Sequence, residues 1–232
     1  MMRPGPAALL FNPFYFARRG LFVAMRDLAR EMEGELLDVG CGSRPYENLF
    51  RASRYVGLEL DTPASRAAKF ADAYYDGGRF PFDGASFDAV LCNQVLEHAF
   101  EPDHLIAEIA RVLKPGGKLL LTVPFAWDEH EQPRDYGRYT SFGLAYLLEK
   151  HGFAVLSQRK TMDDVRAVFQ ILNAYLYRVT ASGNPYLDLL AAVCLMAPVN
   201  LAGALANLLL PRNPDFYLDN VVLASLKQPS IK

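Results

Sequence analysis

Cysteine is scarce in this chain: Cys41, Cys92 and Cys194 are the only three in 232 residues, and none forms a Cys-x-x-Cys pair. An odd, dispersed set argues against a disulfide framework and a thiolate zinc site, and points to a reducing compartment. Net charge is nearly absent too. Lys and Arg number 24 against 26 Asp and Glu, leaving −2, where a general nucleic-acid binder presents a basic face; no nucleic-acid partner is expected. The N-terminal stretch has no unbroken apolar run, because Pro4, Pro6 and Pro13 interrupt it, so no secretory leader is expected. Repeats and low-complexity tracts are also missing. What the chain does have is core-forming material: 51% of its residues are hydrophobic and 22% charged, enough for one globular domain over residues 1–232. The expected location is the cytoplasm.

Along the chain, apolar runs of strand type alternate with helical periodicity. An amphipathic helix is expected over residues 14–33, with Leu21, Phe22, Met25, Leu28, Ala29 and Met32 on one face and arginines largely between them. Strands are expected at 36–39, 55–59, 69–71, 87–92, 118–123, 153–159 and 219–226. Helices fit around 45–51, 102–113 and 140–150, the second stopped by Lys114-Pro115-Gly116-Gly117. This alternation implies a mostly parallel sheet with helices on both faces. Ligands bind such sheets beyond the carboxyl ends of the strands, beside the first one.

At that place stands Leu36-Leu37-Asp38-Val39-Gly40-Cys41-Gly42-Ser43-Arg44-Pro45. Two glycines after a buried strand allow the backbone to come close to a ligand. The third glycine of the dinucleotide fingerprint is missing, since Pro45 occupies its position; this disfavours a nicotinamide oxidoreductase. Glu59 ends the second strand about 20 residues after the first glycine, the spacing at which an acid grips ribose hydroxyls.

The order of motifs resembles the class I S-adenosylmethionine-dependent methyltransferases, of the methyltransferase type 11-like kind. The matching pieces are Leu36 to Gly42, Val56-Gly57-Leu58-Glu59-Leu60-Asp61, Phe70-Ala71-Asp72-Ala73, Phe80-Pro81-Phe82, Ser86-Phe87-Asp88, Asn93-Gln94-Val95-Leu96-Glu97-His98 and Arg111 to Gly117. The resemblance implies a Rossmann-like seven-stranded, mostly parallel sheet in the order 3-2-1-4-5-7-6, the seventh strand antiparallel, with S-adenosylmethionine as cofactor and S-adenosylhomocysteine as product. On it, Asp38, Gly40, Cys41 and Gly42 surround the methionine part, Glu59 and Leu60 the ribose, Asp72 and Ala73 the adenine, and Asn93 and Gln94 the sulfonium end. Arg44 stands where the family carries another glycine; pairing with the cofactor carboxylate and pointing to solvent are both open to it.

Residues 124–140 leave the carboxyl edge of the sheet and are dense in charge and aromatics. Trp127, His130, Tyr136 and Arg138 are the expected acceptor-binding residues, and His130 or His98 the base an oxygen acceptor needs. The spacing of this segment matches no standard metal-ligand set, and no metal is expected. Its His-Glu-x-Pro-Arg-Asp-Tyr-x-Arg-Tyr-Thr pattern resembles a bacterial methyltransferase subgroup associated with cell-surface polysaccharide and lipid-linked sugar synthesis. The acceptor class implied is a small molecule, a saccharide or a lipid-linked glycan.

Before the last strand lies a helical insertion, about residues 162–216, in which 189–211 carry no charged side chain. Its length suffices for a membrane span, but one crossing would strand residues 219–226 away from their sheet. Three readings stand: a lid, a homodimer interface, or a lipid-facing surface giving peripheral contact with the inner membrane. A reading from a different class is a cofactor-binding scaffold of a biosynthetic complex, without turnover.

Overall fold

A computed structural model describes residues 4–228. They form two compact units, a finer division than the single domain of the sequence reading. One comprises residues 25–124, 130–159 and those from 220 onward; the other comprises residues up to 24, 125–129 and 160–219. The strands are β1 (Glu33–Val39), β2 (Arg51–Leu60), β3 (Ala73–Tyr75), β4 (Phe87–Asn93), β5 (Leu113–Pro124), β6 (Phe153–Lys160) and β7 (Asp219–Leu226). The helices are α1 (Tyr15–Leu28), α2 (Pro63–Ala68), α3 (Pro102–Val112), α4 (Ser141–Lys150), α5 (Arg166–Thr180), α6 (Pro185–Ala191) and α7 (Ala197–Leu209).

The sheet runs β3-β2-β1-β4-β5-β7-β6, the order that the motif resemblance implies. β1, β2, β3, β4 and β5 pair in parallel. The last pair is antiparallel: at one end Thr161 N–H donates to Asp219 O and Leu218 N–H to Thr161 O, while at the other Lys227 N–H donates to Gly152 O. The central strands are buried on both faces, as a parallel sheet covered by helices requires. Leu36, Leu37 and Val39, Val90 and Cys92, and Leu119, Leu120 and Leu121 have no exposure at all. α3 contributes Ile106, Ile109 and Val112, all fully buried.

Three expectations change. The strand placed at 69–71 lies four residues later, because α2 has a Thr62–Ser65 capping box and ends at Lys69 in the left-handed conformation, leaving Phe70 exposed. The helix expected over 45–51 is a single 3-10 turn, Glu47–Leu49. The 114–117 segment does not simply precede β5: it bulges from the ladder between the Phe87–Leu113 and Ala89–Lys118 pairs.

The second unit is helical. α5 is followed by α6, a π turn (Ala192–Met196) and α7, which run on as one helix, Pro185–Leu209. Its interior is pinned by three buried amides. Gln170 accepts from Ala17 N–H and donates to Pro13 O; Asn173 donates to Met196 O and Asn200 Oδ1; Asn200 donates to Leu9 O and Asn12 O. Gly203 lies where a Cβ would come within 2.9 Å of the Phe169 side chain, so close packing there requires glycine.

Candidate active site

The β1–β2 end of the sheet holds a cavity of about 690 Å³, within the size range of small-molecule sites. At its floor the chain turns sharply after β1. Gly40 and Cys41 N–H both donate to Leu58 O, tying the turn to β2. Gly40 has φ 66°, and an added Cβ would lie 2.4 Å from Val95 Cγ2; only glycine fits. Gly42, with φ 47°, faces open space. Its N–H donates to Glu59 Oε2 at 2.9 Å, and Leu60 N–H donates to Glu59 Oε1 at 3.0 Å. The Glu59 carboxylate is thereby fixed on the cavity wall beside Leu60, Asp61 and Thr62, opposite Gly40 and Gly42. Further along, Tyr75, Asp76 and Gly77 line the wall after β3.

The acids expected at this end divide into lining and support. Asp72 and Ala73 are not among the cavity-lining residues. Asp72 Oδ2 accepts from Arg44 Nη2 at 2.6 Å and from Gly57 N–H at 2.8 Å, so it braces the glycine turn against β2 and holds Arg44. Gly57 makes room for this brace, since a Cβ there would meet Cys41 Sγ at 2.8 Å and Arg44 Nη2 at 2.9 Å. The carboxylate that does reach the cavity after β3 is Asp76, whose Oδ1 accepts from Gly78 N–H. It escaped the sequence reading because β3 was placed four residues early. Asp38 is buried under the turn and accepts from the Tyr55 hydroxyl at 2.6 Å. Burial pushes its carboxyl up to about 7, with the Tyr55 hydrogen bond and the nearby Arg44 acting in the other direction. Burial likewise pushes the Cys41 thiol up to about 12, which makes it a packing residue, not a nucleophile. Asn93 accepts from the Thr122 hydroxyl, while Gln94, at φ 55°, lines the cavity.

At the other end stand His98, Glu131, Arg134 and Tyr136. The 3-10 turn Leu96–His98 positions this group: Glu97 O accepts from Tyr136 N–H (2.8 Å) and Gly137 N–H (3.2 Å), which clips the following segment onto the turn. His98 Nδ1 lies 2.5 Å from Arg134 O. A carbonyl only accepts, so Nδ1 carries the proton, and in the neutral ring Nε2 keeps its lone pair. That Nε2 sits 3.9 Å from both Glu97 Oε1 and Glu131 Oε2. The ring of His130 meets that of His98 edge-on at 4.8 Å. His130 is held from behind by Asp135, which accepts its backbone N–H at 2.9 Å, lies 3.3 Å from Nδ1 and is gripped by both Arg138 Nη atoms. The Arg138 hydrogen bonds hold the Asp135 carboxyl well below the usual carboxylate range.

Of the four expected acceptor-side residues, Tyr136 lines the cavity, its ring against Phe100 at 5.3 Å. His130 and Arg138 stand behind the wall. Trp127 belongs to the helical unit, packed on Phe14 at 5.9 Å. Glu131 and Arg134 also line the cavity, and nothing in the residue pattern of this loop distinguishes them from its other charges. Glu97, His98 and His130 bring potential ligand atoms within 4.8 Å of one another.

A model of a methyltransferase domain matches residues 37–121. The chain is 32% identical over 154 residues to a probable S-adenosylmethionine-dependent methyltransferase of Mycolicibacterium smegmatis, covering 61% of this chain and 60% of that one. The alignments to this and to a Mycobacterium marinum relative span three-fifths or less of those proteins. Among solved structures, the [4+2]-cyclase SpnF superposes with a TM-score of 0.57 at 21% identity, over 88% of this chain and 81% of that one. A Haemonchus contortus phosphoethanolamine N-methyltransferase superposes with a TM-score of 0.56 at 21% identity, over 90% and 52%. At that identity the likeness is one of fold.

Proposed function

We propose, from the methyltransferase-domain match over residues 37–121 and the similarity to the Mycolicibacterium smegmatis relative, that this chain is a class I S-adenosylmethionine-dependent methyltransferase that methylates a hydroxyl of a small-molecule, saccharide or lipid-linked acceptor. S-adenosylmethionine is the cofactor, and the residues present fit it. Gly40 leaves no room for a side chain beside the floor of the cavity. Glu59 has both oxygens oriented by backbone N–H groups and keeps further lone pairs to accept from two ribose hydroxyls. Asp76, on the cavity wall after β3, is the carboxylate we assign to the adenine amine. When bound, the cofactor supplies an electrophilic methyl carbon on a positive sulfur.

What remains for the protein is alignment and proton removal. Holding the acceptor in a near-attack position contributes most. A hydroxyl must also lose its proton, and His98 is the imidazole that lines the cavity. Donation from Nδ1 to Arg134 O holds the required tautomer. This tautomer-locked imidazole at the far end of the cavity carries the proposal. Arg134 and Tyr136 supply donors suited to a polyhydroxyl acceptor.

Calorimetry with S-adenosylmethionine and S-adenosylhomocysteine, followed by incubation with methyl-labelled cofactor and fractionated cell extract, tests the reading. Binding plus a labelled product supports it, and no binding to folded protein overturns it. Substituting His98→Asn should lower turnover by about 10²–10⁴-fold, the usual worth of a general base, while leaving cofactor affinity within about twofold of the native value.

A second reading is a cofactor-binding scaffold without turnover. It stays open because fold alone does not dictate the reaction: the same fold serves a protein described as a [4+2]-cyclase. It forecasts binding of both ligands with no labelled product in any fraction.

A further inference from the structure

We propose that the helical unit seats the protein on a lipid bilayer, as an in-plane hairpin whose leucine face enters the acyl region. The proposal is independent of the methyl-transfer reading.

The hairpin leaves its base at Asp163, runs out along α5, turns at residues 181–184 and returns through Pro185–Leu209. At the base the ends are fastened to each other: Arg212 pairs with Asp163, and Asn213 N–H donates to Asp163 O. At the turn, Asn184 caps α6 and Ser182 bonds Asp188. Entry and exit therefore lie on one side, which excludes a single crossing even though Pro185–Leu209 is long and apolar enough for one.

Only one stripe of this helix is buried: Ala192, Met196, Ala197, Asn200 and Gly203. Three small residues, one amide and Met196 make this the close-packing side, toward α5. The leucines are on the outside. Leu189, Leu190, Val193, Leu201, Leu205, Leu208 and Leu209 are all exposed, the last two at 79% and 84%. Val168, Leu172, Tyr175 and Val179, at helical spacing on α5, are exposed as well. Only 28% of the most apolar stretch of the long helix is buried. Surface leucines in this number exceed the scattered apolar residues every soluble surface has.

The charge pattern selects lipid over a protein partner. A protein interface surrounds its apolar centre with a polar, partly charged rim. Here residues 189–211 contain no Asp, Glu, Lys or Arg; the helical part of this run, to Leu209, is about 32 Å long at 1.5 Å per residue. Charge returns only beyond the ends, at Asp188 and Arg212, with Tyr186 exposed beside the first and Arg178 across the turn. Aromatic and arginine side chains at the margins of an uncharged zone suit the headgroup boundary.

Flotation of the full chain with phosphatidylcholine vesicles, with and without phosphatidylglycerol, tests this. The wild type should float with both, since the attraction is apolar. The double substitution Leu205→Asp with Leu208→Asp removes two exposed side chains and should lower the bound fraction at least about tenfold, with unchanged circular dichroism. Phe142→Asp, an exposed aromatic on α4 outside the patch, should float like the wild type. A folded wild type that stays in the aqueous layer with both vesicles overturns the proposal, as does a doubly substituted chain that floats normally. If the double substitution instead splits a dimer that never binds vesicles, the face belongs to a second copy and the proposal fails.

Discussion

At the scale of single residues, the nucleoside end of the cavity depends on which acid does what. Glu59 accepts two backbone N–H groups and faces the cavity; Asp72 accepts from Arg44 and Gly57 and braces the turn. Replacing Glu59 by Ala should weaken S-adenosylhomocysteine binding by about 1–3 kcal/mol, the worth of hydrogen bonds to a charged group. Asp76→Asn should cost more affinity than Asp72→Asn by calorimetry, and the opposite ranking would return the adenine role to Asp72. Asp38 offers a test by pH. Burial raises its folded carboxyl from 3.8 to about 7, so the folded state holds a proton that the unfolded chain has released. This contribution is fully present below about pH 4 and is lost as pH rises to about 7, on the order of a few kcal/mol. Asp38→Asn removes the titration. In thermal melts the substituted protein should gain on the wild type between pH 4 and 7, and parallel curves would contradict the assignment.

At the scale of elements, the sheet and the helical hairpin are stabilised in different ways. The sheet relies on strands with no exposed side on β1, β4 and β5. The hairpin has few large buried side chains and is fastened by Gln170, Asn173 and Asn200. Removing Asn200's amide takes a donor from Leu9 O and Asn12 O and an acceptor from the buried Asn173 Nδ2. Asn200→Ala should therefore cost about 1–3 kcal/mol, read as a lower melting temperature and faster amide exchange in residues 9–17. A neutral effect would show that packing alone holds the hairpin. The π turn Ala192–Met196 inserts a wider turn between α6 and α7, a feature that no periodicity count over this uniformly apolar stretch reveals.

At the scale of the whole molecule, a charge of −2 gives little long-range attraction to anionic surfaces. Vesicle binding should accordingly persist in about 0.5 M salt, where charge attraction is screened within a few ångströms. Release by salt would mean that headgroup charge, and not the leucine face, carries the contact.

The sequence by itself determined six of the seven strands, the glycine turn and Glu59, because strand periodicity, paired glycines after a strand and an acid at a strand end are local signals; the strand order came from the resemblance of the motifs to a family, since no local signal carries it. β3 was misplaced because Lys69-Phe70-Ala71 has strand-like composition but follows a helix whose cap is set by Thr62 and Ser65. Only tertiary structure showed that Asp76 lines the cavity while Asp72 accepts from Arg44 and Gly57. It also decided that His98 lines the cavity while His130 and Arg138 do not, because those positions depend on Glu97 O accepting from Tyr136 and Gly137, about 40 residues further on, and on Asp135 tying His130 to Arg138. In the insertion, composition showed a chargeless run. Which leucines lie bare was settled by the small residues and Asn200, whose close packing against α5 turns the larger side chains outward.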